Sequence, residues 1–255
     1  MKAACRSVLV LFFAVLCAVS VPDVAGATFP GTNGPIVFDE PGPVNSSDLY
    51  TIQPDGTGKF RLTNAPVDTF NIGGVFDNGS GRVAYVQSMT GEPSNSRIHV
   101  INADGTGDVA ISPADQLDTM PAFAPDNARI VFVRRDPQSE SLGGDIYTMN
   151  VDGSNPVQLT SSSSDALPVY SPDGSEIAFT RTTELWLMNA DGSNQRRLGA
   201  SAVPAGGRPS FSPDGSRIAF EAFFTETPNG NLLGGIHSVA VDGSGRRVEV
   251  TDSQD

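Results

Sequence analysis

The sequence predicts an all-β chain made of five copies of one four-stranded unit, the pattern of a small β-propeller. Three observations predict it. Ring residues recur at Phe29, Phe76, Phe123, Tyr170 and Phe211, spaced by 47, 47, 47 and 41 residues. A second ring follows each of them nine residues later, at Phe38, Tyr85, Phe132, Phe179 and Phe220. An Asp-Gly pair then marks every copy, at Asp55-Gly56, Asp104-Gly105, Asp152-Gly153, Asp191-Gly192 and Asp242-Gly243. Self-similarity at a fixed period of roughly 40–50 residues marks a repeat architecture. The 27 glycines and 19 prolines of the 255 residues favour short strands and tight turns over long helices.

Each unit reads in the same order. A first strand ends at the first ring. A turn follows, Ser171-Pro172-Asp173-Gly174 and Ser212-Pro213-Asp214-Gly215 in the last two copies, Pro125-Asp126-Asn127 in the third, and Asn33-Gly34 and Asn78-Gly79 in the first two. The second strand is a short apolar run such as Ile177-Ala178-Phe179 or Ile218-Ala219-Phe220, suited to burial on both faces. A segment of unequal length leads to the third strand, which carries a ring at Tyr50, His99, Tyr147, Trp186 or His237. The Asp-Gly pair then turns the chain, because a tight hairpin needs positive φ and glycine supplies it. Leu62, Ile111, Leu159 and Leu198 mark the fourth strand, and Glu249 breaks the pattern in the fifth copy.

A single four-stranded meander leaves two faces and two edges uncovered. Stacking such sheets around an axis buries the faces, and closing the ring protects the edges. The residues Pro-Ser-Phe-Ser-Pro-Asp-Gly-Ser-Arg-Ile-Ala-Phe (209–220) and Leu-Trp-Leu-Met-Asn-Ala-Asp-Gly-Ser-Asn (185–194) resemble the WD40-like repeat of TolB-type propellers. That resemblance spans residues 28–255, with repeats at about 28–64, 73–112, 120–160, 167–199 and 208–251. Propellers of that family usually have six blades, so the expectation is a five-bladed ring or an incomplete six-bladed one.

The first 27 residues read separately. Lys2 and Arg6 precede an apolar run from Val8 to Val19, and Val24-Ala25-Gly26-Ala27 offers small residues for cleavage after Ala27. This is the pattern of a secretory signal peptide, and the run is shorter than a membrane span requires. The expectation is an exported protein, periplasmic or secreted, with no membrane span after cleavage. Both cysteines, Cys5 and Cys17, fall inside that segment, so the mature chain would hold no disulfide, thiolate nucleophile or cysteine metal site. The whole chain carries −13; cleavage would remove Lys2, Arg6 and Asp23, leaving 14 basic and 28 acidic residues and a charge of −14. An acidic surface repels phosphate backbones and excludes nucleic acid as a natural partner.

Residues that look chemical mostly fall on repeated structural positions. His99 and His237 share a ring position with Tyr50, Tyr147 and Trp186, which reads as packing rather than ligation. Asp55, Asp104, Asp152, Asp191 and Asp242 read as turn residues; Asn189-Ala190-Asp191-Gly192-Ser193-Asn194 lacks the spacing and terminal glutamate of a calcium loop. No cofactor is expected beyond an ion such as calcium in the central channel. No Gly-x-Ser-x-Gly elbow occurs. The unequal segments between second and third strands escape the repeat. They contribute Arg134 and Arg135 in the third copy and Phe223 and Phe224 in the fifth, the expected partner-binding residues. Function therefore reads as a non-catalytic, monomeric binding module for a protein partner or envelope component. The alternatives are a carbohydrate-active or peptide-hydrolysing enzyme, using acids near Asp173 and Asp214, and a structural subunit that closes its ring with another chain.

Overall fold

The structure is a computed structural model that describes residues 34–42, 44–79, 81–90, 96–138, 143–198, 208–225 and 232–251. The signal segment, both cysteines and the strand expected to end at Phe29 lie outside the described residues. Every regular element among the described residues is a strand. Blade 1 contributes β1 (Ile36–Pro41), β2 (Ser47–Ile52) and β3 (Phe60–Arg61). Blade 2 is β4 (Thr69–Phe76), β5 (Arg82–Met89), β6 (Arg97–Asn102) and β7 (Val109–Ala110). Blade 3 is β8 (Leu117–Phe123), β9 (Arg129–Arg135), β10 (Asp145–Asn150) and β11 (Val157–Gln158). Blade 4 is β12 (Asp165–Tyr170), β13 (Glu176–Arg181), β14 (Glu184–Asn189) and β15 (Arg196–Arg197). Blade 5 is β16 (Ser210–Phe211), β17 (Arg217–Thr225), β18 (Leu232–Ala240) and β19 (Arg247–Thr251). Within each blade, consecutive strands pair antiparallel, and a single parallel bridge, Ser47 to Phe70, joins blade 1 to blade 2.

The two ring series meet as cross-strand partners. Phe38 faces Tyr50, Tyr85 faces His99, Phe132 faces Tyr147, Phe179 faces Trp186 and Phe220 faces His237, with centroids 5.2–6.4 Å apart. Directly opposite residues are the closest side-chain neighbours a sheet offers, so the rings of the second and third strands form a stack in every blade. Both faces of the middle strands are buried: β9 is buried from Ile130 to Val133 and β13 from Ile177 to Thr180.

Four apolar clusters lie between successive blades. Leu49 and Leu62 of blade 1 meet Val83 and Tyr85 of blade 2. Ala84 and Ile98 meet Phe123, Ile130 and Phe132. Val131 and Ile146 meet Tyr170, Ile177 and Phe179. Ala178 and Leu187 meet Phe211, Ile218 and Phe220. Each such side chain contributes about 1.5–3 kcal/mol on full burial, which lets the sheets cohere through packing alone. The two terminal faces differ. Ile36 is 52% exposed although its counterparts Val83, Ile130, Ile177 and Ile218 are fully or nearly fully buried, and Ile236 on blade 5 is 43% exposed.

Two segments read as inter-strand loops are shorter than expected. In blade 4, β13 runs through Arg181 and only Thr182-Thr183 separate it from β14. In blade 5, β17 continues through Phe223 and Phe224 to Thr225, paired with Gly234, Leu233 and Leu232 of β18. Aromatic and β-branched residues favour a pleated strand, and a partner strand was available to extend it.

Candidate functional site

A cation covers the ring pair in four of the blades. Lys59 Nζ lies 4.7 Å from the Tyr50 ring, Arg134 4.8 Å from Tyr147, Arg181 4.5 Å from Trp186, and Arg246 5.9 Å from Phe220. A guanidinium over a ring face is attracted by the ring quadrupole. Arg134 and Arg181 are further fixed by Asp118 and Asp165, which are completely buried on the first strands of blades 3 and 4. Arg134 therefore sits near the end of β9 with its head committed inward. Arg135, the last residue of β9, is half-buried opposite Leu117. These two arginines and the backbone of Phe223 and Phe224 belong to strands.

The five Asp-Gly turns share one geometry. Asp55, Asp104, Asp152, Asp191 and Asp242 each accept a hydrogen bond from the backbone N–H two residues on, at 2.8–3.0 Å, and each following glycine has φ between 82° and 85°. Thr57, Thr106, Ser154 and Ser193 also donate their hydroxyls to the same carboxylates. These donors hold all five carboxyls below the ordinary range. Asp173 and Asp214 are similarly saturated: Ser171 and Ser212 donate to them at 2.6 Å, and Asp214 is drawn down to about 2. Carboxyls this acidic hold no proton at neutral pH to deliver as general acids.

Blade 2 departs from the repeat at several linked positions. Asn71 and Gln87 stand where blades 3 and 4 have the Asp118–Arg134 and Asp165–Arg181 pairs, and the Gln87 amide donates to Asn71 at 3.1 Å. Asp108 stands where blades 1 and 5 have Lys59 and Arg246. It accepts the Tyr85 hydroxyl at 3.0 Å and faces His99 Nδ1 at 3.1 Å. Burial, then the Asp108 charge, pushes the Tyr85 phenol far above its ordinary pKa. A cleft of about 290 Å³ between blades 1 and 2 is lined by Arg61, Thr63, Asn71, Tyr85, Gln87 and Asp108, among others. His99 is thus part of a hydrogen-bonded cluster as well as a ring in the stack. In blade 5 the equivalent His237 meets Arg246 at 3.2 Å, and burial, then that charge, lowers its pKa.

A second cavity lies on the axis. The first strands of blades 2, 3 and 4 each carry a bulge, between Ile72 and Val75, Thr119 and Ala122, and Ala166 and Val169. Gly73, Met120 and Leu167, spaced by 47, have φ of 65°, 55° and 55°. A left-handed Met or Leu is costly, and such bulges re-aim the residues that follow. Here they precede Val75-Phe76, Ala122-Phe123 and Val169-Tyr170. With Ser210-Phe211 these pairs line a cavity of about 240 Å³ whose walls are mainly apolar. Arg208 is its one charged lining residue. Reading by motif missed Arg208, which stands immediately before the 209–220 segment. The available signal was its register, since it occupies the position of Gly73, Met120 and Leu167, and only there is that position charged.

Among the described residues no group of three or more His, Cys, Asp or Glu could hold a metal ion, and no helix is long and apolar enough to cross a membrane.

Comparison with known proteins follows the same lines. Residues 55–220 match the family profile described as "TolB beta propeller domain". The fold is similar to a TolB-type structure from Agrobacterium tumefaciens (19% identity, 80% of this chain and 74% of that one, TM-score 0.63). It is also similar to TolB from Acinetobacter baumannii (19% identity, 87% and 53% covered, TM-score 0.64) and to an oligogalacturonate lyase from Vibrio parahaemolyticus (14% identity, 82% and 60% covered, TM-score 0.60). This chain therefore spans about three quarters of the first and little more than half of the second. At these identities the likeness speaks to fold alone.

Proposed function

The chain belongs to the TolB beta propeller family, and from that premise we propose that it is an exported, non-catalytic binding module acting as a monomer on a protein or envelope partner. The observation that carries this reading is the axial cavity. Its walls are apolar side chains from four blades, with one guanidinium and no acid–base pair among its lining residues. An apolar concave surface with a few polar groups is binding chemistry. Export to the periplasm or medium is supported by the signal pattern at residues 1–27. The reading needs no cofactor.

The test is retention of an envelope partner by the immobilised protein, compared with a Ser210→Trp variant. Ser210 is exposed and lines the cavity, so the indole would obstruct it. A partner held by the wild type and lost by the variant supports the proposal. Turnover of a glycan or peptide by the purified protein, with no partner retained, overturns it.

A second reading, a subunit that completes its ring with another chain, draws on the exposure of Ile36 and Ile236 at the terminal blade faces. Light scattering separates the two: a stable monomer removes the second reading, and a concentration-dependent assembly favours it.

A further inference from the structure

We infer that Arg208 makes the axial cavity a receptor for a small organic carboxylate with an apolar body. This deepens the binding-module reading by naming the chemistry of its site.

Arg82, Arg134, Arg181 and Arg196 each reach a carboxylate at 2.6–3.0 Å. Arg208 has no such partner among the described residues. Among the described residues its one hydrogen bond is from Nη1 to the Pro121 carbonyl of blade 3, at 3.5 Å, the outer limit of such a bond. A guanidinium carries five N–H donors in a planar fork, so most of its capacity is unused. Burial lowers its pKa. A partly buried guanidinium with no carboxylate beside it among the described residues is left under-paired, and a ligand carboxylate is the group that relieves it, through two parallel N–H···O bonds.

The surroundings define the rest of the ligand. Arg208 belongs to blade 5 but bonds to Pro121 of blade 3, so its side chain lies across the axis. Around it are Val75, Phe76, Phe123, Val169 and Phe211. The Tyr170 hydroxyl is already engaged with Thr148 at 3.1 Å. The walls therefore offer contact area and little further hydrogen bonding. One positive charge selects a monoanion, and about 240 Å³ admits a body of one ring or a branched alkyl chain. The overall charge of −13 repels anions at a distance. Binding must then come from this local constellation rather than from the field of the whole protein.

The test uses ligand-observed NMR on the full exported chain with three probes: 3-phenylpropanoate, its neutral amide, and acetate. The acid should bind about tenfold or more tightly than the amide or acetate, since it alone supplies both the charge and the apolar body. Arg208→Gln should reduce the acid to the level of the amide, and Arg208→Lys should leave an intermediate preference. Equal binding of acid and amide to the wild type overturns the inference without recourse to any variant. Survival of the preference in a folded Arg208→Gln protein also overturns it. So does acetate binding as well as the aryl acid, which would mark a simple anion site. A partner retained through a cavity with no carboxylate preference would leave the binding-module reading standing and remove this one.

Discussion

Arg134 holds Asp118 through two hydrogen bonds, Nε to Oδ1 at 2.7 Å and Nη2 to Oδ2 at 2.8 Å, while its guanidinium lies over the Tyr147 ring. The same arrangement recurs one blade on, where Arg181 holds Asp165 beneath Trp186. The first strand of each of these blades is thereby tied to the second at the end farthest from the Pro-Asp turn that joins them. Because Asp118 is completely buried, removing the arginine would strand a carboxylate. Arg134→Met should cost about 3–5 kcal/mol. The pair Asp118→Leu with Arg134→Met should recover most of that loss, because no charge remains buried. Guanidinium chloride unfolding of the single and double variants measures both values.

Blade 2 lets the same logic run in reverse. Asn71 is buried and its partner Gln87 is neutral. Asn71→Asp alone would bury an unpaired carboxylate and should cost about 3 kcal/mol. Adding Gln87→Arg recreates the pair of blades 3 and 4 and should return at least half of it. The coupling energy from a double-mutant cycle would lie in the range of about 0.5–3 kcal/mol expected for contacting residues. Strictly additive effects would mean that blade 2 cannot accept the geometry of its neighbours.

The turns set the response to acid. Thr57, Thr106, Ser154, Ser193 and Ser244 donate to the carboxyls of Asp55, Asp104, Asp152, Asp191 and Asp242 and depress their pKa values in the folded state; Asp214 falls to about 2. Unfolded aspartate titrates near ~3.9. A depressed folded pKa contributes stability above the unfolded value and loses it as pH falls through the folded one. Melting temperature should therefore hold steady down to about pH 4 and decline from there towards pH 2. Asp214→Asn should flatten part of that decline, which a series of thermal melts between those pH values would register.

The repeat made the architecture legible because it records pairing directly. A ring nine residues after another places the first on one strand and the second on the next, and a third ring opposite closes the stack. Long-range partners left no such trace. Arg134 reads as a loop residue until β9 is seen to carry it back to Asp118, 16 residues earlier in the chain. Asp108 follows Asp-Gly-Thr-Gly and reads as part of a turn. Only the folded sheet brings it to Tyr85 and His99. Arg208 is the clearest case. Its meaning lies in the contrast with Gly73, Met120 and Leu167 and in the carbonyl of Pro121 across the axis, so it depends on register and ring curvature together. The unequal segments were expected to hold private chemistry, and residues 91–95, 139–142 and 226–231 within them lie outside the described residues. Among the described residues, departures at repeated positions also converge.

The glycine of each Asp-Gly turn has one duty in common and a second that varies. All five need positive φ, so an alanine incurs about 1–2 kcal/mol of left-handed strain. At Gly56 that is the whole effect, because an added Cβ meets open space. At Gly153 the turn of blade 3 is seated on blade 2, and an added Cβ would collide with the backbone carbonyl of Ile111. A backbone carbonyl cannot rotate away as a side chain can, so the blades must separate locally. Gly153→Ala should therefore cost about 1–3 kcal/mol more than Gly56→Ala. It should also loosen the interface between Ile111 and Met149, which share one apolar cluster. Denaturant unfolding gives the difference in stability. Amide hydrogen exchange at Ile111 should accelerate in the Gly153 variant and remain unchanged in the Gly56 one. Equal losses at the two positions would mean that the turns serve only their own hairpins and carry no contact between blades.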